Sequence, residues 1–491
     1  MKFYLKFLQS FCLFLGLSVL TSAVWAQQSA QSQEPSSPAS RQEVAPANGN
    51  DAKGDTETKI SPKEAEELFR SIDDILKFSS QDSGLPIKQE IKRRLTSRDE
   101  VVAYIQKRMS EDEDAQRLRR SELVLKKFGL LPRDFDLQKY LLAMLREQVA
   151  GYYDPKTKMV NLLDWIDPEQ QKPVMAHELT HALQDQSFGL EKWMKAGAGD
   201  LVESSKEPTP ADIENDEIST ARQAVVEGQA MVVLVDYMLA PTGQSLLSSP
   251  QVAEALKQGM LVGSAESPEF VNSPVYLKEA LIFPYRYGLD FEAALLKQGG
   301  RGRAFTEVFK NPPRSTREIM EPQTYLNGEH LKPMPLPDFA GIFKNYDRFD
   351  IGAIGEFDVA VMIDQYSGTE VSHDLYPHWR GGYYYAARPK ADASAPLGLM
   401  YASRWSGPEE AAEFAAIYAS SLEKRYHTLH QVEDGKNMAL DLKSLKSLTG
   451  KYTWLTEEGL AVIEASGDTV LVTESLDADT ANRLKQAVFG K

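Results

Sequence analysis

One cysteine, Cys12, stands among 491 residues, and it lies inside the first apolar segment. With that segment set aside, no disulfide can form and no thiolate can bind a metal. A metal site here has to use His, Asp or Glu. Histidine is scarce too, with seven in the chain. Positive charge is in deficit: 55 Lys and Arg against 71 Asp and Glu leave a formal charge of −16. That balance argues against a nucleic-acid partner or an anionic membrane surface and favours a soluble protein. Beyond the opening segment, no stretch reads as long and apolar enough to span a bilayer.

The opening segment itself reads as an export signal. Lys2 and Lys6 precede an apolar run from Phe7 to Leu20, and small residues lead to Val24-Trp25-Ala26. The run is short for a spanning helix and fits a leader, residues 1–26, cleaved after Ala26. The expectation is an exported chain, periplasmic or secreted, with no integral membrane segment once the leader is gone. Residues 27–60 carry no aromatic and almost no aliphatic side chain before Ile60. Such a segment cannot bury enough surface to offset its ordering entropy and reads as a flexible tether.

From Ser61 the pattern turns helical. Leu68, Phe69, Ile72, Ile75 and Leu76 recur at helical spacing behind Ser61-Pro62, an N-cap with proline in the first turn. A strand is expected within residues 86–95, and Ser97-x-x-Glu100 is a capping box for the next helix. Two further helices are expected around residues 114–128 and 136–149. "GYYDPKTKMVNLL", from Gly151, reads as a hairpin turning at Asp154-Pro155-Lys156-Thr157, and its edge is a candidate ledge for a peptide substrate.

"VMAHELTHALQDQ", residues 174–186, carries the chemistry. A helix starting near Asp167-Pro168, running past Pro173 and ending near Gly189 would hold it. His177 and His181, one turn apart, would point the same way and could share one Zn²⁺. Glu178 could hold the metal's water and take its proton. Val174, Met175, Ala176, Leu179, Ala182 and Leu183 make the surroundings apolar, so burial of these ionisable groups without a metal would be costly. A third ligand must come from elsewhere. Glu227 is an acid planted in the middle of an apolar helix, "ARQAVVEGQAMVVLVDYML", beside small Gly228 and Ala230. Asp236 and Glu217 are weaker candidates. Residues 195–217 between the two helices read as an exposed acidic loop.

HELTH followed by a helix bearing Glu-Gly-x-Ala resembles the gluzincin branch of HExxH zinc metallopeptidases. More narrowly, the chain is similar to a group of exported bacterial metallopeptidase-like proteins. The stretches that carry this are "EQVAGYYDPKTK", "HELTHALQDQ", "VVEGQA", "FPYRYG" and "PPRSTREIMEPQTYL", across roughly residues 130–330. The resemblance implies a zinc peptidase acting on peptide or protein substrates, with His177, His181 and Glu227 as ligands and Glu178 as general base. Two positions depart from the patterns compared. Glu321 stands where the group has a histidine, and Met231 stands where thermolysin-type enzymes have an acid four residues after the ligand glutamate.

Peptide hydrolysis also needs a group facing the developing oxyanion. Tyr285 is the first candidate, because it follows a proline in an apolar run; Tyr287, Arg286 and His330 are the others. From about Phe349 the chain changes character. "GGYYYAARP", "LGLMYASRW", "RYHTLHQVE", "KYTWLTEEG", "LAVIEASGD" and "TVLVTESL" read as strands. Residues 408–424, capped near Ser406, and 477–489 read as helices. His373, His378, His427 and His430 lie here without metal-ligand spacing. The fold expected is α+β: a mostly helical zincin-like metallopeptidase domain over residues 61–340, then a smaller antiparallel-sheet α+β domain over 341–491. Two rival functions remain: a non-catalytic envelope protein that keeps the metal fold as a scaffold, and a metal-dependent amidase on a non-peptide substrate.

Overall fold

The computed structural model describes residues 59–110, 112–148, 151–195, 207–263, 268–432, 441–442 and 444–490. The expected leader and nearly all of the expected tether lie outside them. The architecture is α+β, with a mostly helical first part and a sheet-rich second part.

Helix α1 (Pro62–Ser83) starts at the expected cap: Ser61 Oγ accepts from Glu64 N, and Glu64 returns a bond to the Ser61 N–H. Its stripe of Leu68, Ile72, Ile75 and Leu76 is buried. Strand β1 (Lys92–Thr96) is shorter than expected and begins later. The reason is upstream, where Lys88 and Gln89 give their backbone N–H groups to the Gln186 side chain instead of to a strand. Helices α2 (Arg98–Ser110), α3 (Asp112–Phe128) and α4 (Leu137–Gln148) follow. The hairpin is β2 (Tyr152–Asp154) and β3 (Met159–Leu163). β3 pairs in parallel with β1 and antiparallel with β2, so β2 is an edge.

Four helices come next along the chain. They are α5 (Pro168–Phe188), α6 (Leu190–Lys195), α7 (Pro210–Leu239) and α8 (Pro250–Gly263). Asp167 caps α5, whose end is closed by Gly189 in the left-handed region. The start of α7 corrects the expected acidic loop. Thr209 and Asp212 form a capping box ahead of Pro210, so residues 210–217 are helical, with Ile213 and Glu217 buried. Residues 207–209 are loop as expected, and 196–206 lie outside the described residues. The stretch Pro210–Thr242 also corrects the membrane expectation, since by length and a mean hydropathy of 1.3 it could cross a bilayer. Here 78% of that apolar window is buried inside the protein, so its apolar surface serves the core.

Helix α9 (Val275–Gly302) packs along α7 and breaks at Gly300 (φ 66°), after which Arg303–Glu307 form a π-helical turn. Gly228 and Gly288 set the distance between α7 and α9. A Cβ on Gly228 would stand 2.3 Å from the Gly288 carbonyl oxygen, and one on Gly288 would stand 2.3 Å from that of Ala224. Only glycine permits this approach.

The second part is a seven-stranded antiparallel sheet in the order β4-β5-β6-β10-β9-β8-β7. Its strands are β4 (Tyr346–Ala353), β5 (Trp379–Pro389), β6 (Gly398–Trp405), β7 (Leu429–Gln431), β8 (Gly450–Thr456), β9 (Gly459–Ser466) and β10 (Thr469–Glu474). Helices α10 (Glu356–Ser367), α11 (Pro408–Arg425) and α12 (Ala478–Phe489) accompany it. The cap of α11 is Gly407, not Ser406, whose hydroxyl bonds His378 Nδ1 instead. Alternation along β5 and β6 sorts side chains to two faces. Tyr384, Ala386, Leu399 and Tyr401 join the core shared with the helices, where Phe128 packs edge-on against Tyr384 and Tyr401. Tyr383, Tyr385, Met400 and Ala402 join a smaller cluster with Phe339, Phe343 and Leu484. The larger core is continuous from Leu68 to Val472.

Candidate metal centre

The apolar sequence of α5 buries it on nearly all sides, and α1, α7 and the hairpin cover it. His177 and Glu178 are 0% exposed, His181 4% and Glu227 2%. Spacing of one turn brings the two imidazoles together edge to face, ring centres 4.7 Å apart and planes at 85°, and α7 brings Glu227 across to them. Three atoms converge. His177 Nε2 lies 3.1 Å from His181 Nε2 and 3.2 Å from Glu227 Oε2, and His181 Nε2 lies 3.3 Å from the same oxygen. Among the described residues this is the group that could hold a metal ion.

The fit can be judged from these distances. A small tetrahedral cation with bonds of about 2.1 Å holds neighbouring ligand atoms roughly 3.4 Å apart. The observed triangle is already nearly that size. A further atom waits beside it: Glu178 Oε1 is buried with no hydrogen-bond partner, while Oε2 accepts the Tyr153 N–H at 2.7 Å. His177 Nδ1 is also buried without a partner. The donor set, two imidazoles and a carboxylate, suits a divalent transition cation.

Electrostatics of the polypeptide alone fit the same picture. Burial pushes His177 down to about 4. Burial would also lower His181, but the Glu227 carboxylate overrides it and raises that ring to about 9. Glu227 is pushed up by burial, yet the two imidazoles hold it down at about 2. One proton therefore sits on His181, facing Glu227, where a cation would otherwise satisfy all three. Glu178 is raised by burial to about 8. A nearby cation would oppose that rise.

The other expected residues separate. Tyr285 joins the site: it is 6% exposed, and its ring centre lies 6.2 Å from that of His177. Tyr287 packs on Phe283 under the Arg286 guanidinium, and Arg286 reaches towards Glu279. His330 pairs with Glu318 at 2.9 Å in a separate cleft that Trp379 and Arg380 also line. Glu217 is occupied as well, accepting from the Thr316 N–H and hydroxyl. Asp236 accepts the Leu246 N–H at 2.6 Å. Neither is a ligand. Glu321 pairs with Arg317 at 3.1 Å.

The hairpin is close to the site, but not as an open ledge. Tyr152, Tyr153 and Asp154 are buried. The Tyr153 N–H is already given to Glu178, and the Tyr153 hydroxyl to Asp185. Sequence reasoning also passed over three glutamines. Gln223 Nε2 donates to Glu227 Oε1 at 2.5 Å, and Gln184 and Gln229 stand behind His181. Their signal was there, as polar residues two to four positions from a ligand on otherwise apolar helices. Comparison of the chain with protein-family models, with curated proteins and with solved structures returns no match.

Proposed function

We propose that this protein is an exported zinc-dependent metallopeptidase. The observation that carries the reading is the convergence of His177, His181 and Glu227 on one point with the unpartnered Glu178 Oε1 beside it. Zinc suits the donor set, and when bound it would supply a Lewis acid and an activated water. Glu178 then acts as the base: Oε1 takes a proton from the attacking water and returns it to the leaving nitrogen. The Tyr153 N–H holds Oε2, which leaves Oε1 as the atom free to do so. Tyr285, whose ring flanks His177, is the candidate to stabilise the oxyanion. The HELTH and Glu-Gly-x-Ala stretches and their resemblance to gluzincins support the same reading.

One observation favours a different function. All of these side chains are buried, as in a structural metal site inside a scaffold protein. Structural sites, however, close the ion with four protein ligands, whereas three converge here among the described residues. Catalysis is therefore preferred, and a peptide can reach the site only after the surrounding elements open.

The test is zinc content and turnover on a peptide library, measured side by side for three proteins. Wild type should bind about one zinc and cleave. Glu178→Gln should bind zinc equally and lose roughly 10²–10⁴-fold in turnover. Glu227→Ala should lose zinc. No cleavage by the zinc-loaded wild type would refute the peptidase reading, and cleavage by Glu178→Gln at the wild-type rate would refute Glu178 as the base. Full zinc binding by Glu227→Ala would refute the ligand set.

A further inference from the structure

The ligand His181 is held from behind by a chain of hydrogen bonds. His181 Nδ1 meets Gln184 Oε1 at 2.9 Å. Gln184 Nε2 donates to Gln229 Oε1 at 2.7 Å and to the Val226 carbonyl at 3.0 Å. Gln229 Nε2 donates to the Ala304 carbonyl at 2.6 Å. Gln184, Gln229 and Ala304 are each 0% exposed, so water does not compete. The chain crosses three elements: α5, α7 and the π-helical turn Arg303–Glu307 that follows the break at Gly300.

Its direction is not free. A backbone carbonyl can only accept, so the atom of Gln229 facing Ala304 must be the amide nitrogen. Gln229 then turns its oxygen to Gln184, which must answer with its own nitrogen. The Val226 carbonyl independently imposes the same orientation on Gln184. Gln184 therefore presents its oxygen to His181, and His181 Nδ1 must carry hydrogen. The lone pair of the neutral ring is left on Nε2, the atom that faces His177 and Glu227. We infer that Gln184 and Gln229 form a directional amide relay that fixes the tautomer and orientation of His181 for metal binding, anchored on the carbonyls of Val226 and Ala304. Metal-bound histidines commonly give their second N–H to a carboxylate or a backbone carbonyl. Here two neutral amides do that work, so the support behind His181 adds no negative charge to the site. Both are positioning residues, and the relay deepens the metallopeptidase reading and rests on its ligand set.

The test uses the full mature chain, stripped and reloaded with zinc or cobalt. Gln184→Met removes the acceptor for Nδ1–H and should weaken zinc binding by roughly 10–100-fold, with an altered visible spectrum of the cobalt form. Gln229→Met leaves Gln184 one anchor, Val226, and should weaken binding less. In a Gln184→Met background, Gln229→Met should add nothing to the loss, because the relay is already cut. Gln184→Glu keeps the acceptor, so zinc affinity should stay near wild type while the protein melts lower, its second oxygen now facing the Val226 carbonyl. Additive losses, or wild-type affinity and an unchanged cobalt spectrum in Gln184→Met, would reduce the glutamines to packing and overturn the relay. If wild type bound no zinc, the function reading would fail instead. The relay would then stand or fall on nitrogen NMR shifts of the neutral His181 ring, which must show Nδ1 protonated and Nε2 bare in wild type and lose that preference in Gln184→Met.

Discussion

At the end of α11, Arg425 and Glu474 are buried together with Lys127; between α5 and α7, His177, His181 and Glu227 are buried together with Glu178. The first group carries its own counter-charges, although Arg425 Nε is buried without a partner. Glu474 accepts from the Tyr418 hydroxyl at 2.7 Å, from the Tyr426 hydroxyl and twice from Arg425 Nη2 at 2.6 and 2.8 Å. Lys127 reaches Glu458 at 2.7 Å and Ser475 at 2.8 Å. Two cations face two carboxylates. The second group holds one cation of its own, the His181 ring that faces Glu227, and Glu178 Oε1 stays buried without a partner. Burial of charge is tolerated where the protein supplies the counter-charge and marks a candidate ligand site where it leaves a buried carboxylate oxygen unmatched.

The largest effect expected comes from breaking the first group. Arg425→Met strands Glu474 and should cost about 3–5 kcal/mol, while the pair Arg425→Met with Glu474→Leu should recover most of it. Denaturant unfolding of both checks this, and zinc content should stay at the wild-type level in each. A double variant as unstable as the single one would mean that the two groups do not differ in the way described.

Next in size is the ligand itself. With zinc at a hundredfold excess over its Kd, the wild type should unfold as though about 2.7 kcal/mol more stable than the stripped protein. Glu227→Ala should lose that difference and Arg425→Met should keep it. Calorimetry with and without chelator reads both.

Two glycines sharpen the contrast. A Cβ on Gly228 would stand 2.3 Å from the Gly288 carbonyl oxygen, so alanine there must push α7 off α9 and carry Glu227 with it. A Cβ on Gly129 would meet the Tyr366 hydroxyl at 2.3 Å and the Arg425 stem at 2.6 Å, on a backbone with φ of +73°. Each alanine variant should lose roughly 1–3 kcal/mol. Zinc affinity should fall for Gly228→Ala alone, and an equal fall for Gly129→Ala would show that the groups are mechanically coupled.

Much of this site could be read from the letters, for a physical reason. The helix of His177 and His181 declares itself by spacing as one that could hold a metal, and Glu227 by being an acid among Val225, Val226, Met231 and Val232. Asp236 and Glu217 carry the same signal and are not ligands. Only folding reveals that the Leu246 N–H and Thr316 reach them first. The Tyr153 N–H that holds Glu178 is equally invisible, since every residue but proline has one. Helix α9 was hidden by Pro284 and Gly288, which ordinarily interrupt helices; here the glycine is the contact surface. The α+β division was legible because strand alternation and helical stripes are local, whereas the core that joins the two parts is built from distant residues.

A third, partly buried group lies between the two extremes and gives the smallest effect. Asp82 and Asp236 share one cation, Arg301, at 2.7 and 3.8 Å, and Asp82 Oδ2 has no partner. Burial and then the Asp236 carboxylate push Asp82 up to about 7, with Arg301 opposing. Because the folded value lies above the unfolded one, near 3.9, the native state holds a proton between about pH 4 and 7 that the unfolded chain has released. Stability from this group is therefore present at acid pH and declines as pH rises through that window. Asp82→Asn cannot ionise and should flatten the decline, ending about 1 kcal/mol more stable than wild type at pH 8 and no more stable at pH 5. Urea unfolding at the two pH values decides it. If the variant were weaker at both, the Arg301 bond would outweigh the carboxylate repulsion, and this pair would belong with Arg425 and Glu474 as a group that carries its own counter-charge.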